Sequence, residues 1–459
     1  MFPAFKVISS AVEAVGGFAL LVGGAVRDSV LGLEPKDCDI EVYGLSLENL
    51  NSVLSSVADD GKVNAVGSSF GVLKIKIDGE DVDVSIPRRD NKTGQGHKGF
   101  VPEFDAALTP KEAASRRDFT MNALALDKDC AVIDHFGGLA DICALRLRPT
   151  SAAFSEDPLR VLRGMQFAGR FQMSASSECR SVCASMVGSI SELPKERIWG
   201  EFEKWATKSV KPSMGLEFLR DCGWLIEFQE LNDLIGVEQF RGWHPEGDVW
   251  NHTLLAVDAA AFVAMRDGFA KSDRLVAVLG ALCHDFGKVT TTTNVKGVIS
   301  SAGHPEAGEA PTRSFLASIG CPPDVIESVV LAVIHHMAHV CGGNPDWNRM
   351  ARRLAVKFDG RLSAKVFGAV LEADHSARPP LPGGQDPEAL ALLAAFAANK
   401  VESSKPKNLL SGKILMSLGM KPGPQMGVLQ REAFELQLDG AISTVEQATA
   451  WAKNRLSKP

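Results

Sequence analysis

Leu21 to Asp39 reads LVGGAVRDSVLGLEPKDCD. An apolar run enters Gly23-Gly24, and a stretch of helical spacing follows it. Glycine lets a backbone approach a phosphate chain closely, and the N-terminus of a helix favours anions. A glycine pair is also an ordinary turn, so the closing residues decide the reading. Asp37-x-Asp39 begins the next predicted strand. Alternate strand positions share a face, so both carboxylates are expected to point to one side. There they can share Mg²⁺, a hard cation that often takes only one or two carboxylates beside substrate phosphates. Asp83, in the alternating run Asp81 to Ile86 (DVDVSI), is a third candidate. With no ligand, the same three residues are solvent-facing charges on the open side of a sheet.

The surroundings read as mixed α/β. Phe18 to Leu21, Asp39 to Tyr43 and Val72 to Ile77 are predicted strands, and Leu47 to Val57 a helix. Residues 88–110 are a predicted polar loop, longer than ordinary connections. Pro110 then opens a helix. From Ser155 onward the pattern is helical almost throughout. It is broken at Gly242 to Pro245, at Thr290 to Gly308, and at Arg378 to Gly384 (RPPLPGG), a predicted linker. The expected class is therefore α+β, divided at 1–145, 146–235, 236–380 and 381–459.

The chain has 459 residues, 45% of them hydrophobic, enough for several cores. Its nine cysteines form no CxxC and are odd in number, as for reduced thiols in the cytoplasm. Cys179 and Cys183, at helical spacing, are expected to pack rather than bind metal. Glu13 interrupts the N-terminal apolar stretch, and Arg27 and Asp28 follow it, which argues against a signal peptide. No apolar run reaches the roughly 20 residues of a membrane span. The net charge of −7 argues against a uniformly basic nucleic-acid binder but leaves room for a local groove. With Tyr43 the single tyrosine, aromatic stacking platforms are not the expected means of holding RNA.

GGAVRD followed by KDCD resembles the head motif of the class II tRNA nucleotidyltransferase (CCA-adding) and bacterial poly(A) polymerase family, within the polymerase-β superfamily. Further motifs follow in order: Arg116 to Ala123 (RRDFTMNA), Asp134 to Asp141 (DHFGGLAD), Glu156 to Arg163 (EDPLRVLR) and Lys195 to Glu201 (KERIWGE). The resemblance implies a polymerase-β-like nucleotidyltransferase head over 1–145 and a helical RNA-binding neck over 146–235. It implies that Asp37 and Asp39 hold Mg²⁺ and that Asp83 helps activate the RNA 3′ hydroxyl. Gly23, Gly24 and Arg27 would meet the triphosphate, and Arg117 would belong to the nucleotide site. Asp157 and Arg160 would read the Watson–Crick edge of the incoming base, with Arg163 in support. An Arg fork and a carboxylate together can mimic a pairing partner. At i,i+3 the two are expected on one helix face. The implied reaction is addition of CCA to tRNA from CTP and ATP, with release of pyrophosphate. Many family members carry Arg where this chain has Gln166, which keeps hydrogen bonding without the charge.

A second constellation lies downstream. His252, His284-Asp285 and Asp374 follow the H…HD…D order of HD phosphohydrolases, with the dipeptide inside LCHDFGK (Leu282 to Lys288). Imidazole and carboxylate together suit a divalent metal, whose identity the sequence leaves open. His304, His335 and His336 are further possible ligands. The resemblance is thus to the multifunctional type of CCA-adding enzyme, with an HD domain over 236–380 and a helical tail over 381–459. Alternatives are a poly(A) polymerase, disfavoured by the mixed charge of the tail, and an enzyme adding only CC or only A. Of another class is an HD phosphohydrolase with an RNA-binding head.

Overall fold

The computed structural model describes residues 2–35, 37–67, 72–92, 100–105 and 107–457. They fold into two compact units: residues up to 209 together with 214–227, and residues 210–213 together with those from 228 onward.

The first unit is built on a mixed sheet. Its strands are β1 (Phe18–Val22), β2 (Asp39–Tyr43), β3 (Asn64–Gly67), β4 (Val72–Ile77) and β5 (Glu80–Ser85). A separate hairpin of β6 (Arg88–Lys92) and β7 (Phe100–Phe104) follows, and then β8 (Ala125–Leu126) and β9 (Val132–Ile133). The seven-stranded order is β3-β4-β5-β2-β1-β8-β9. β2 and β5 run parallel, with Asp39 opposite Asp83; the other neighbours in this sheet are antiparallel. Alternation sorts the faces as the sequence suggested. Ile40, Val42, Val82 and Val84 are buried, whereas Asp39, Glu41, Asp83 and Ser85 are half-buried. Helices Pro3–Glu13 and Leu47–Val57 pack on β1 and β4, burying Phe5, Ile8, Val12, Leu50 and Leu54. Each such side chain contributes about 1.5–3 kcal/mol on burial.

Two expectations need correction here. Asp37 lies just before β2 and is exposed, so it is not a strand residue sharing the Asp39 register. The predicted polar loop contains the β6–β7 hairpin, paired Arg88↔Phe104 to Lys92↔Phe100. RRDNK has no apolar alternation, so its strand character comes from the partner. Residues 93–99 lie outside the described residues. Beyond it, Thr109 and Glu112 form a reciprocal cap on helix Pro110–Ser115.

The second unit is helical. Helices Lys271–Cys283, Pro323–His335, Trp347–Phe358, Ala364–Ser376 and Pro387–Ala398 share a core containing Ala277, Ala332, Leu354, Phe358, Phe367, Val370, Leu392 and Phe396. The stretch read as irregular, Thr290 to Gly308, includes a small hairpin, Thr293–Val295 with Val298–Ser300. The last helices, Gly412–Ser417, Pro424–Leu438 and Val445–Leu456, enclose a core of their own around Leu410, Leu415, Leu429, Ala433 and Ala448. Arg349 and Arg353 bond Asp439, and Arg352 donates to the Leu438 carbonyl. No described helix is long and apolar enough to cross a membrane.

Candidate functional site

In the first unit the chemistry gathers where β1 turns into helix Gly24–Val30 and β2 runs beside β5. Gly23 has φ +73°, a left-handed backbone that favours glycine. A Cβ there would lie 2.9 Å from Arg117 Nη1 and 3.6 Å from Asp39 Oδ2. The glycine therefore lets Arg117 and Asp39 close on the turn. Lys74 on β4 holds Asp83, Nζ to Oδ2, at 2.9 Å. Burial pushes the Asp39 carboxyl above the usual carboxylate range; Arg117 opposes this, while Asp83 and Asp37 add to it. Asp83 and Asp37 thus add to the cost of charge on Asp39, and carboxylate oxygen is the donor type that a hard divalent cation takes.

Arg27 is placed differently. It is 5% exposed, with Nε and Nη2 bonded to Asp28 Oδ1 (2.8 and 2.6 Å) and Nη1 to Asn122 Oδ1 (2.6 Å). Its guanidinium lies over Phe167 and Phe171, 5.4 and 4.8 Å from the ring centroids. Asn122 in turn donates to Asp118 Oδ1 at 2.9 Å, and Arg163 Nε donates to Asp118 Oδ2 at 2.6 Å. Arg163 also lies over Phe167. The chain Arg27–Asn122–Asp118–Arg163 thus ties the glycine turn to helix Leu159–Phe171. Asp118 and Asn122 stand inside the quoted RRDFTMNA, but nothing in the sequence showed that they join two motifs.

Burial disfavours the charged Asp118, yet Arg163, Asn122 and the Phe119 N–H hold its carboxyl below the usual range. A lowered folded value adds stability above the ordinary carboxylate range, and that stability is lost as pH falls. Asp118→Ala is expected to cost about 2 kcal/mol at pH 7, less than a fully buried pair because the Arg163 side chain is 34% exposed. Urea unfolding checks this. The deficit should shrink towards pH 3; an equal deficit at both values would refute the assignment.

Asp157 precedes helix Leu159–Phe171 instead of sitting on its face: Oδ1 accepts the Leu159 N–H at 3.1 Å. Its Oδ2 receives Arg197 Nη2 at 2.8 Å. Arg160 turns to two carbonyls, Ala153 and Arg116, each at 2.7 Å. Sequence reading missed Arg197; the quoted KERIWGE was its one signal. The DHFGGLAD motif is scaffold. Asp134 accepts the Gly138 and Leu139 N–H groups, and Asp141 takes Arg146, Arg148 and Thr120. Gln166 is buried, and its Nε2 has no hydrogen-bond partner among the described residues.

In the second unit His252, His284, Asp285 and Asp374 come together as expected, and His304 and His336 join them. His252 Nε2 lies 3.1 Å from Asp374 Oδ1 and 3.2 Å from His284 Nε2. His304 Nε2 lies 3.1 Å from His336 Nε2. Asp285 stands between the pairs, with Oδ2 3.2 Å from His284 and Oδ1 3.4 Å from His304. Apart from the Lys288 ammonium 2.7 Å from Oδ2, its buried oxygens accept no hydrogen bond among the described residues.

Every Nδ1 of these four rings faces an acceptor: Glu246 Oε1 (2.7 Å), Ala281 O (2.8 Å), Ser301 O (2.8 Å) and Val333 O (2.6 Å) for His252, His284, His304 and His336. Each Nδ1 must therefore carry the hydrogen, and each Nε2 offers its lone pair inward. Paired lone pairs about 3 Å apart repel unless a cation or proton lies between them. The residues fit a divalent metal, with Asp285 shared by both groups. Without metal, a proton on His252 serves: burial disfavours it, but Asp374 and Glu246 hold that ring up at about 9. Burial pushes His336 down to about 3. The cavity beside this cluster, about 800 Å³, is lined by Trp243, His244, Lys288, His304, Asp374 and Arg378 among others.

The mixed sheet, its glycine turn and the acidic strand ends define a polymerase-β-like head followed by helical domains. Residues 19–148 match the family model described as the poly A polymerase head domain. The chain is 36% identical over 319 residues to the multifunctional CCA protein of Methylobacillus flagellatus, covering 69% of this chain and 72% of that one. It is 35% identical over 322 residues to that of Pasteurella multocida, covering 69% and 73%. In fold it is similar to the Bacillus stearothermophilus CCA-adding enzyme solved with CTP, with TM-score 0.68 at 20% identity over 99% of this chain and 98% of that one. It is likewise similar to the Thermotoga maritima CCA-adding enzyme complexed with tRNA, with TM-score 0.61 at 17% identity over 99% and 95%. The chain belongs to the family of multifunctional CCA proteins.

Proposed function

We propose that this chain adds CCA to the 3′ end of tRNA from CTP and ATP, releasing pyrophosphate. The observation that carries the reading is the register of β2 on β5, which sets Asp39 opposite Asp83 beside the Gly23–Arg117 turn. Asp37 and Asp39 would hold Mg²⁺, which supplies charge neutralisation for the attacking and leaving oxygens. Asp83, on the same face, would receive the proton of the RNA hydroxyl. Gly23 and Gly24 leave room for the triphosphate, and Arg117 faces it. Arg27 acts from behind, fixing the turn through Asp28 and Asn122.

Base choice would rest on Asp157 and Arg160, with Arg163 and Arg197 holding the helix start. Arg197 on Asp157 supports this, because a base reader needs a fixed carboxylate. The division proposed is a head over 1–145, a neck over 146–235, an HD domain over 236–380 and a tail over 381–459, whose first helix, Pro387–Ala398, packs into the core of the HD helices. A cytoplasmic setting follows from the substrates.

The test is extension of a labelled tRNA lacking its CCA end. With CTP and ATP together, three nucleotides should be added and addition should stop. Long A tails from ATP alone would make the chain a poly(A) polymerase, and a stop after CC would make it a partial enzyme.

A second activity, metal-dependent phosphoester hydrolysis, is favoured by the four inward Nε2 atoms around Asp285. Its metal would supply an activated water. Lys288 and Arg378 line the cavity as cations suited to a phosphate. Uptake of Co²⁺ with the visible absorption of an imidazole-bound ion tests this reading, and failure to bind would remove it.

A further inference from the structure

Of the four rings around Asp285, three have Nδ1 fixed by a backbone carbonyl that the helical path itself supplies. His252 is the exception, because its Nδ1 meets a side chain, Glu246 Oε1, at 2.7 Å. The same oxygen takes His244 Nδ1 at 2.8 Å. The Glu246 side chain is nearly fully buried, at 2% exposure, and its other oxygen has no hydrogen-bond partner among the described residues. Among the described residues the two imidazoles are the side chains bonded to this carboxylate. These short contacts are hydrogen bonds, and ligands of one tetrahedral ion would stand farther apart, roughly 3.3 Å for bonds near 2.0 Å.

We propose that Glu246 is a positioning residue that sets two histidines at once. It fixes His252 with hydrogen on Nδ1, so that Nε2 faces Asp374 and the metal cluster. It fixes His244 in the same way, turning the Nε2 of that ring to the cavity His244 lines. A carboxylate behind a ligand imidazole also raises its basicity, and loss of such a partner typically weakens metal binding 10–100-fold, by general precedent. Glu246 reaches both rings because it lies in the turn just before helix Val249–Arg266, which carries His252. Asp248 caps that helix through the Asn251 N–H and also bonds the Gly236 N–H. The turn is thus pinned at Asp248, two residues after the carboxylate.

The proposal rests on reading this unit as a metal-dependent hydrolase site, so its test is made on the full chain with two readouts. Co²⁺ titration followed by visible absorption reports imidazole-bound metal apart from the all-oxygen site of the head. Glu246→Ala should weaken this binding at least tenfold. Glu246→Gln, whose amide oxygen can still accept both N–H groups, should lose less. Two-bond ¹H–¹⁵N correlations on metal-free protein, taken above the pH at which the His252 ring gives up its second proton, should show His244 and His252 as Nδ1–H tautomers in the parent and the Gln variant. In Glu246→Ala the preference should be lost. Unchanged Co²⁺ affinity in both variants, or an Nε2–H tautomer at His252 in the parent, overturns the proposal. If Glu246→Ala fails to fold, the Gln variant and the parent tautomers decide it. A parent that binds no Co²⁺ but shows both tautomers would refute the hydrolase reading and leave Glu246 as a setter of tautomers.

Discussion

Asp39→Asn reduces nucleotide addition to a tRNA lacking CCA by about a thousandfold or more, yet makes the metal-free protein more stable at neutral pH. The two effects share one cause. Asp39 ionises reluctantly because burial disfavours its charge and Asp83 and Asp37 repel it. A cation relieves that repulsion and draws its hold from it, so removing the charge removes the site; losses of this size are usual where preorganised charge meets reacting oxygens. The sign for stability follows from linkage. A carboxyl titrating higher in the folded state than in the unfolded state lowers stability as pH rises through that interval. The Asn variant should therefore melt higher than the parent at pH 7 in EDTA, with the gain gone at pH 3.5. Single-turnover extension and thermal melts check both halves. Retained addition, or a variant less stable at pH 7, would show that Asp39 does not stand in a metal-binding acidic cluster.

Gly287→Ala should damage the second unit more than other single glycine changes of ordinary φ. A Cβ there would fall 2.0 Å from His304 O and 2.7 Å from Gly308 N. These are backbone atoms of the turn that carries His304, so no side chain can swing aside. Overpacking of this kind costs about 3 kcal/mol, and here the displaced group is also a candidate ligand. The expected result is a lower Tm and loss of Co²⁺ uptake at the Asp285 cluster. Gly200→Ala is the control. Nothing lies within 4 Å of its Cβ, and it sits mid-helix in Lys195–Lys208. That change should be neutral or raise stability by up to about 1 kcal/mol. Equal behaviour of the two variants would mean that the His304 turn yields freely.

The head was legible because its chemistry is local in sequence: the glycine turn, Asp39 and the alternation around Asp83 each show within a few residues. Partners distant in sequence were not. Asp157 was read with Arg160, three residues away, while its ion pair is with Arg197 on another helix. His335 and His336 were equivalent as letters. The helix turns His336 wholly inward and leaves His335 half-buried beside the Phe358 ring. Glu246 follows the break at Gly242 to Pro245 and drew no reading, since no period marks a carboxylate whose partner is an imidazole on the following helix. Residues 88–104 failed for another reason: strand character there comes from pairing, and the polar run RRDNK carries no trace of it.

The parallel seam between β2 and β5 bears on how the molecule assembles. β4 and β5 are joined by a tight turn and can pair early, whereas joining β5 to β2 closes a loop between residues 39–41 and 83–85. Non-local closure of this kind comes late and slowly in folding. A slip of one residue at the seam would send Asp83 to the opposite face. The pair Asp39 and Asp83 therefore exists only after β5 has docked on β2 in register. A nascent chain still short of that step would lack the carboxylate pair, so the catalytic face matures together with the sheet.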